Sequence, residues 1–333
     1  MSFILPQILG PRTGWGVSRG GARAPSGEGG SGGRAAPPIT LLDGGMGQEL
    51  LRRSGDAPTP LWATRVMIDH PGLVAAIHSD YFAAGASVAT ANTYAIHHDR
   101  LEKFGLDDQF HNLYMAALSE AHAARSAHGQ GRIAGSLGPL VQSYRPDIFP
   151  PHAEAVARYA EVAGLLAPHV DLLLGETIAS VAHASAVIAG AAHAAPALPL
   201  WVSVTVDDHD GTRLRSGEPI AALTGQLGHT AAILANCSSP EAMDQAMPHL
   251  ARLGLPFGAC ANGFQQITSD FLKPNPTADA LSARPEMTPA RYADFAMGWV
   301  AQGATIIGGC CETGPAHIAE IARRLRARGH PII

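Results

Sequence analysis

Residues 304–313 read ATIIGGCCET. A short apolar run ending at Ile307 passes into two glycines and then two adjacent cysteines, Cys310 and Cys311. It reads as a buried strand whose end carries thiols, with glycines that let other groups approach the backbone closely. Adjacent cysteines bridge each other only under strain, so a disulfide between these two explains them poorly. Two thiols at the mouth of a strand are a better start for a metal site. A second apolar run, 231–239 (AAILANCSS), also ends in a cysteine, Cys237. If both runs are strands of one sheet, three thiols meet at one rim.

Outward from this stretch, eight apolar runs recur, at 39–44, 86–94, 132–140, 171–177, 200–207, 231–237, 256–262 and 305–310. Segments with three-to-four-residue apolar spacing separate them, at 72–84, 109–128, 152–166, 178–192, 240–253, 288–302 and 315–328. After the fifth run, 219–227 has room only for a short helix. Strand–helix alternation implies parallel strands, because each crossover needs a helix. Eight such units with continuously apolar strands imply a single-domain α/β protein, a closed (β/α)8 barrel of the TIM type. The alternative is an open doubly wound sheet, which brings a glycine fingerprint after its first strand. Here Gly45-Met46-Gly47 is followed by Leu50 where the third glycine belongs.

The composition fits this. Of the 333 residues, 46% are hydrophobic and 15% charged, with alanine and glycine prominent. The net charge of −5 comes without a long basic run, which argues against a nucleic-acid partner. The long window 181–206, free of Asp, Glu, Lys and Arg, is interrupted by His183, His193, Pro196 and Pro199, so no membrane span is expected. Four cysteines, two of them adjacent, do not form a secreted disulfide framework, and a reducing, cytoplasmic setting is expected. Residues 1–38 are rich in Gly, Ser, Pro and Arg, with Glu28 the single acid, and are expected to be a flexible extension preceding a barrel domain at 39–333. A homo-oligomer is compatible with all of this.

In a barrel of this kind the chemistry sits at the C-terminal ends of the strands. Those ends carry Asp43, Asn92-Thr93-Tyr94, Ser136 with Gly138, Glu176-Thr177, Thr205, Asn236-Cys237, Asn262-Gly263 and Cys310-Cys311. Three cysteines from two strand ends give Zn2+ three protein ligands and one open position, the layout of a catalytic site. Cys260 lies two residues before the end of its strand, at a deeper level, and reads as a small buried apolar residue.

Asp43-Gly44-Gly45, Glu176-Thr177, Asn236-Cys237 and Gly308-Gly309-Cys310-Cys311 resemble the zinc-dependent homocysteine S-methyltransferase family, whose members include betaine-, S-methylmethionine- and corrinoid-linked enzymes. The resemblance covers nearly all of the chain beyond the N-terminal extension. It implies a (β/α)8 barrel in which Cys237, Cys310 and Cys311 bind zinc, and a methyltransferase that forms methionine from homocysteine. The segment 201–219 (WVSVTVDDHDGTRLRSGEP) also looks like the family, its opening resembling the S-methylmethionine branch. Strand seven departs. The family typically shows an aromatic residue and a proline before Asn-Gly or Asn-Ala, where this chain has Ala259-Cys260-Ala261-Asn262-Gly263.

The chemistry asks for further parts. A free thiol, with a pKa of roughly 8.5, is only about 3% thiolate at pH 7. Zinc deprotonates a coordinated thiol, a gain of about thirtyfold in nucleophile. Alignment of sulfur, methyl and leaving group adds roughly 7–11 kcal/mol. The ammonium of an amino-acid thiol needs an anion. Glu176 is the first candidate and Asp43 the second, and both are read as catalytic as well as substrate-binding. Backbone N–H groups near Ser136 and Gly138 are candidates for the carboxylate, and Asn262 is a further substrate contact. The methyl donor is an activated cation, a sulfonium or quaternary ammonium, which binds aromatic faces. Trp62, in the long loop after strand one, and Tyr94 are the aromatic candidates. His97 and His98 read as surface histidines, and helical periodicity accounts for His111, His122 and His128. Two other readings compete, a homocysteine-activating module of a corrinoid-dependent methionine synthase and a non-catalytic zinc-thiol sensor. The segment 207–212 lacks the corrinoid D-x-H-x-x-G spacing, and nothing follows Ile333 to supply folate or corrinoid domains, so a stand-alone enzyme is expected.

Overall fold

The structure is a computed structural model that describes residues 35–274, 276–277 and 280–333, of which 35–333 belong to one compact unit. Its strands are β1 (Thr40–Leu41), β2 (Val88–Thr90), β3 (Arg132–Leu137), β4 (Leu172–Ile178), β5 (Leu200–Val204), β6 (Thr230–Asn236), β7 (Phe257–Ala261) and β8 (Ile306–Gly309). Each pairs in parallel with its sequence neighbour from β2 through β8, and β8 pairs with β1. A parallel bridge between Leu42 and Val88, with Ser87 N–H donating to Leu41 O at 2.7 Å, joins β1 to β2 and closes the barrel. The (β/α)8 expectation holds at every strand.

The pleat sorts each strand between two cores. Leu172, Leu174, Trp201, Ala232, Leu234, Cys260 and Ile306 form the barrel interior. Their neighbours Leu173, Leu200, Val202, Ile233, Ala235 and Ala259 belong to the larger core under the helices. A side-chain period of two in strands buried on both faces produces this division. The outer layer comprises α1 (Met46–Ser54), α2 (Trp62–Asp69), α3 (Leu73–Ala84), α4 (His98–Leu101), α5 (Phe110–His128), α6 (His152–Leu166), α7 (Val181–Ala194), α8 (Pro240–Ala251), α9 (Pro289–Ala301) and α10 (Pro315–Ala327). The connector after β5 holds only a 3-10 turn, Ile220–Leu223, as its weak pattern implied.

The sequence reading erred after β1, where α1 and α2 replace the expected long loop. Both are short, nine and eight residues, too few turns for periodicity to declare a helix. A buried Leu50 and a left-handed Gly55 anchor and end α1. The extension expected at 1–38 lies outside the described residues up to position 34. Pro37 O accepts from His330 Nδ1 at 2.8 Å, and Ile39 bridges to Ile332. No helix among the described residues is long and apolar enough to cross a membrane.

The glycines before the cysteine pair serve packing. The Cα of Gly44, at the end of β1, lies 3.3 Å from where a Cβ on Gly309 would stand. Such a Cβ would also strike Thr313, as would one on Gly44. Glycine at both places lets the ends of β1 and β8 close on the turn that carries Cys310 and Cys311.

Candidate metal and substrate site

Cys237, Cys310 and Cys311 meet at the C-terminal mouth of the barrel, with their sulfurs all within 4.8 Å of one another. The strand order causes this, because β7 lies between β6 and β8 and holds all three. Cys237 N–H donates to Cys260 O at 3.1 Å, Cys310 N–H donates to Ala261 O at 3.0 Å, and Cys311 O accepts from Gly263 N–H at 2.8 Å. Cys260 stays outside the group as a buried thiol, pushed up by burial. The sulfurs of Cys237 and Cys310 come within disulfide-forming reach of each other across two strand ends, while the adjacent pair Cys310 and Cys311 stays unbridged. Convergence that suits a metal also brings two sulfurs within reach of each other. A disulfide and a metal compete for the same sulfurs, so metal loading requires the reduced pair.

The donor set fits a soft cation. Burial pushes the Cys311 thiol up to about 12, with Glu312 and Glu176 adding to it. The opposing influences are hydrogen bonds from Gln48 and from its own backbone, and no cation contributes. Thiolates here need positive charge from elsewhere, and three sulfurs facing a cleft are a donor set suited to a thiophilic metal ion with an open position.

Asn236 ties this group to the next strand. Its Nδ2 donates to Cys237 Sγ at 3.3 Å and to Thr177 Oγ1 at 3.2 Å, while its Oδ1 accepts from Thr177 N–H at 3.0 Å. Thr177 and Cys237 both sit at positive φ, 56° and 53°, which non-glycine residues avoid. The other non-glycine residues at positive φ among those described are Trp62, Val141, Tyr144 and Glu312, all in the cleft wall or next to Cys311. Backbone strain of about 1–3 kcal/mol per residue is thus concentrated around this cleft. Asn236→Ala is expected to weaken metal affinity about 10–100-fold, as loss of a ligand-orienting group does, read by competition with a chelator.

Below the thiols the cleft, of 210 Å³, is acidic. Asp43 lies at the end of β1, where Oδ2 accepts from Thr90 N–H at 2.7 Å and Oδ1 from Thr90 Oγ1 at 2.9 Å. Burial raises Asp43 to about 7 against those hydrogen bonds, with Glu176 adding to the rise. Glu176 projects inward from β4 on the same face as Leu172 and Leu174, and accepts from Ser136 Oγ. Burial raises it to about 7 as well. Two buried carboxyls poised near neutrality, neither paired with a lysine or arginine among the described residues, are set to receive a cation.

Trp62, Tyr94, Asp43, Glu176 and the three cysteines all line the cleft. Ser136 reaches it only through Glu176. Asn262 is buried with its Oδ1 unpartnered. Gly138 packs against the backbone of Tyr94, and its carbonyl accepts from Tyr159 and pairs with His97. Neither Ser136 nor Gly138 is part of the cleft wall, whereas Gly44, Gly45, Met46, Gly47 and Gln48 are. Gly45 N–H is spent on Thr313 O at 2.9 Å, and the first-turn N–H groups of α1, at Met46, Gly47 and Gln48, are a better place for a carboxylate. Recognising it required seeing α1. His97 is buried where a surface residue was expected, since its segment tucks under the end of β3.

The aromatic wall also differs. The Arg100 guanidinium stands 5.6 Å over the Tyr94 ring, so a cation already covers one face. Trp62 meets Phe271 edge-on at 5.5 Å, and Phe271 meets Tyr144 at 5.8 Å. Tyr144, Phe271, Phe264 and Leu281 pack with Cys237, with Trp62, Cys310 and Cys311 against them. Tyr144 and Phe271 lie in segments without periodicity, and nothing in their spacing pointed to the site.

The pattern that defines the homocysteine S-methyltransferase family matches residues 40–325 of this chain. The chain belongs to that family. It is 31% identical over 312 residues to the homocysteine S-methyltransferase of Escherichia coli (strain K12), across 86% of this chain and 95% of that protein. It is 29% identical over 268 residues to the methionine synthase of Mycobacterium tuberculosis (strain ATCC 25618 / H37Rv), across 76% of this chain but 21% of that one. The crystal structure of the homocysteine methyltransferase MmuM from Escherichia coli in its metallated form superposes with a TM-score of 0.72 at 28% identity, over 86% of this chain and 96% of that one. Its oxidised form gives 0.73 at the same identity and coverage. As a member of the homocysteine S-methyltransferase family the chain is a methyltransferase, and its barrel matches one that has been seen with metal.

Proposed function

We propose that this enzyme moves a methyl group from a sulfonium or betaine-type donor to the thiol of homocysteine, forming methionine, with Zn2+ held by Cys237, Cys310 and Cys311. The observation that carries the reading is the convergence of three thiols within 4.8 Å at the mouth of a cleft floored by two buried carboxyls. When bound, the ion supplies Lewis acidity that keeps a thiol ionised at neutral pH. Asp43 and Glu176 hold the substrate ammonium, and the backbone N–H groups at the start of α1 hold its carboxylate. Fixed at that end, the thiol is directed at the cysteines. Trp62 and Phe271 form the wall against which the onium methyl group docks, and with Tyr144, one face of which the Arg215 guanidinium covers at 5.4 Å, they exclude water from the reacting centre. The sulfur lone pair forms the new S–CH3 bond as the methyl–onium bond breaks, and the donor leaves as a neutral thioether or amine.

A stand-alone enzyme is favoured over a module of a corrinoid-dependent synthase. The Escherichia coli relative is matched along almost its whole length, the methionine synthase along about a fifth. A reducing compartment such as the cytoplasm suits thiols that must stay reduced.

The test is a donor panel of S-methylmethionine, betaine, dimethylsulfoniopropionate and S-adenosylmethionine with homocysteine, run on reduced, zinc-loaded enzyme. Methionine is expected from at least one donor, S-methylmethionine first, and no methionine from any donor contradicts the reading. Oxidation of the same sample with diamide is expected to release the metal and abolish turnover, and reduction followed by zinc to restore both. Turnover that survives metal release removes the ion from the mechanism.

A further inference from the structure

Behind Asp43 stands a residue that neither the fold nor the metal explains. His78, on α3, is 0% exposed, and neither ring nitrogen has a hydrogen-bond partner among the described residues. Its Nδ1 lies 3.9 Å from Asp43 Oδ2, beyond hydrogen-bonding range but with no competing partner. Its neighbours do not account for it. Tyr81, on the next turn of α3, spends its hydroxyl on Gly45 O and Thr313 O at 3.2 and 3.0 Å. Thr90 faces the carboxylate from β2 and already donates to both oxygens. A buried polar group without a partner destabilises the fold, and an apolar side chain of similar size would serve packing better. A carboxylate has about four lone-pair sites, and Thr90 fills two of them.

We propose that His78 is a positioning residue for Asp43, whose Nδ1–H closes onto Oδ2 when a substrate ammonium occupies the cleft. The imidazole then supplies a third donor to a carboxylate that must be fully charged and fixed in direction to bind the amino end of the thiol substrate. The inference rests on the reading of Asp43 as an ammonium acceptor. It assigns His78 a role in homocysteine affinity and none in holding the barrel together.

The experiment compares His78→Leu, His78→Asn and Asp43→Asn in zinc-loaded enzyme, by steady-state kinetics and thermal unfolding. His78→Leu is expected to raise KM for homocysteine about tenfold, to leave KM for the methyl donor within about twofold, and to hold or raise the unfolding midpoint. His78→Asn, which keeps a donor near the Nδ1 position, is expected to recover most of the affinity. A lower unfolding midpoint in His78→Leu with KM for homocysteine unchanged overturns the proposal, as does an Asn variant no better than Leu. Asp43→Asn separates the two levels. If it leaves KM for homocysteine at the wild-type value, the ammonium reading fails and this inference with it. If it raises KM while His78→Leu does not, the inference alone fails.

Discussion

Alanine at position 311 is expected to lower kcat/KM for homocysteine at least about 1,000-fold and to take bound zinc from one per chain to near none. The loss has two physical sources. Without the ion, the thiolate fraction of the substrate at pH 7 falls by about thirtyfold. Without an anchor for its sulfur, the thiol also forfeits part of the roughly 7–11 kcal/mol that alignment supplies. A 1,000-fold loss is about 4.1 kcal/mol, well inside the sum. Cys311 is the informative position because its sulfur stands apart from the close Cys237–Cys310 contact and it is only half-buried, so its removal leaves the core intact. Metal content by mass spectrometry, kinetics and an unfolding curve on one preparation check all three statements. A folded, metal-free variant keeping more than about a tenth of wild-type activity would end the proposal that the thiols act through a metal.

Glutamine at position 176 carries the second large effect. Removing one partner of a buried charge pair costs about 3–5 kcal/mol, so kcat/KM for homocysteine should fall about 100-fold or more. The donor KM should barely move. The pH dependence follows from the raised carboxyls. Glu176 and Asp43 are both pushed to about 7 by burial, and only their ionised forms attract an ammonium. In the wild type, kcat/KM should therefore fall as pH drops through 7, more steeply than one group allows, since the two carboxyls act on the same ammonium. In Glu176→Gln the remaining fall should have the slope of a single group. Stability of the substrate-free protein runs the other way. A carboxyl whose folded pKa exceeds its unfolded value makes the native state bind the extra proton, so its stabilising effect is full below about pH 4 and is lost as pH rises to about 7. Glu176→Gln should thus unfold at a higher temperature than wild type at pH 8, while binding homocysteine worse.

The barrel was legible because its strands are buried on both faces. Runs such as 231–237 and 305–310 are apolar along the strand and end in the residues proposed to do the chemistry, so strand ends and candidate site could be found together. The thiol group was legible for the same reason, since Cys237 and the Cys310-Cys311 pair each terminate such a run. The rest depends on contacts between distant segments. Tyr144 and Phe271 enter the wall from stretches without periodicity. The turn at Gly44–Gly47 becomes a helix N-terminus only because α1 packs Leu50 into the core. The presence of Arg100 over Tyr94 cannot be read from six residues of spacing, and it shifts the aromatic role towards Trp62. His78 reads in sequence as one more residue on a helix, and only the fold brings it behind Asp43.

The central claim is that three thiols hold one ion that leaves a position for the substrate sulfur. Zinc K-edge X-ray absorption on the reduced, zinc-loaded protein, before and after homocysteine, tests it most directly. The expected result is one zinc per chain with three sulfurs at about 2.3 Å, rising to four when homocysteine is added. A sulfur count that stays at three under saturating homocysteine, in enzyme that is turning over, would contradict it.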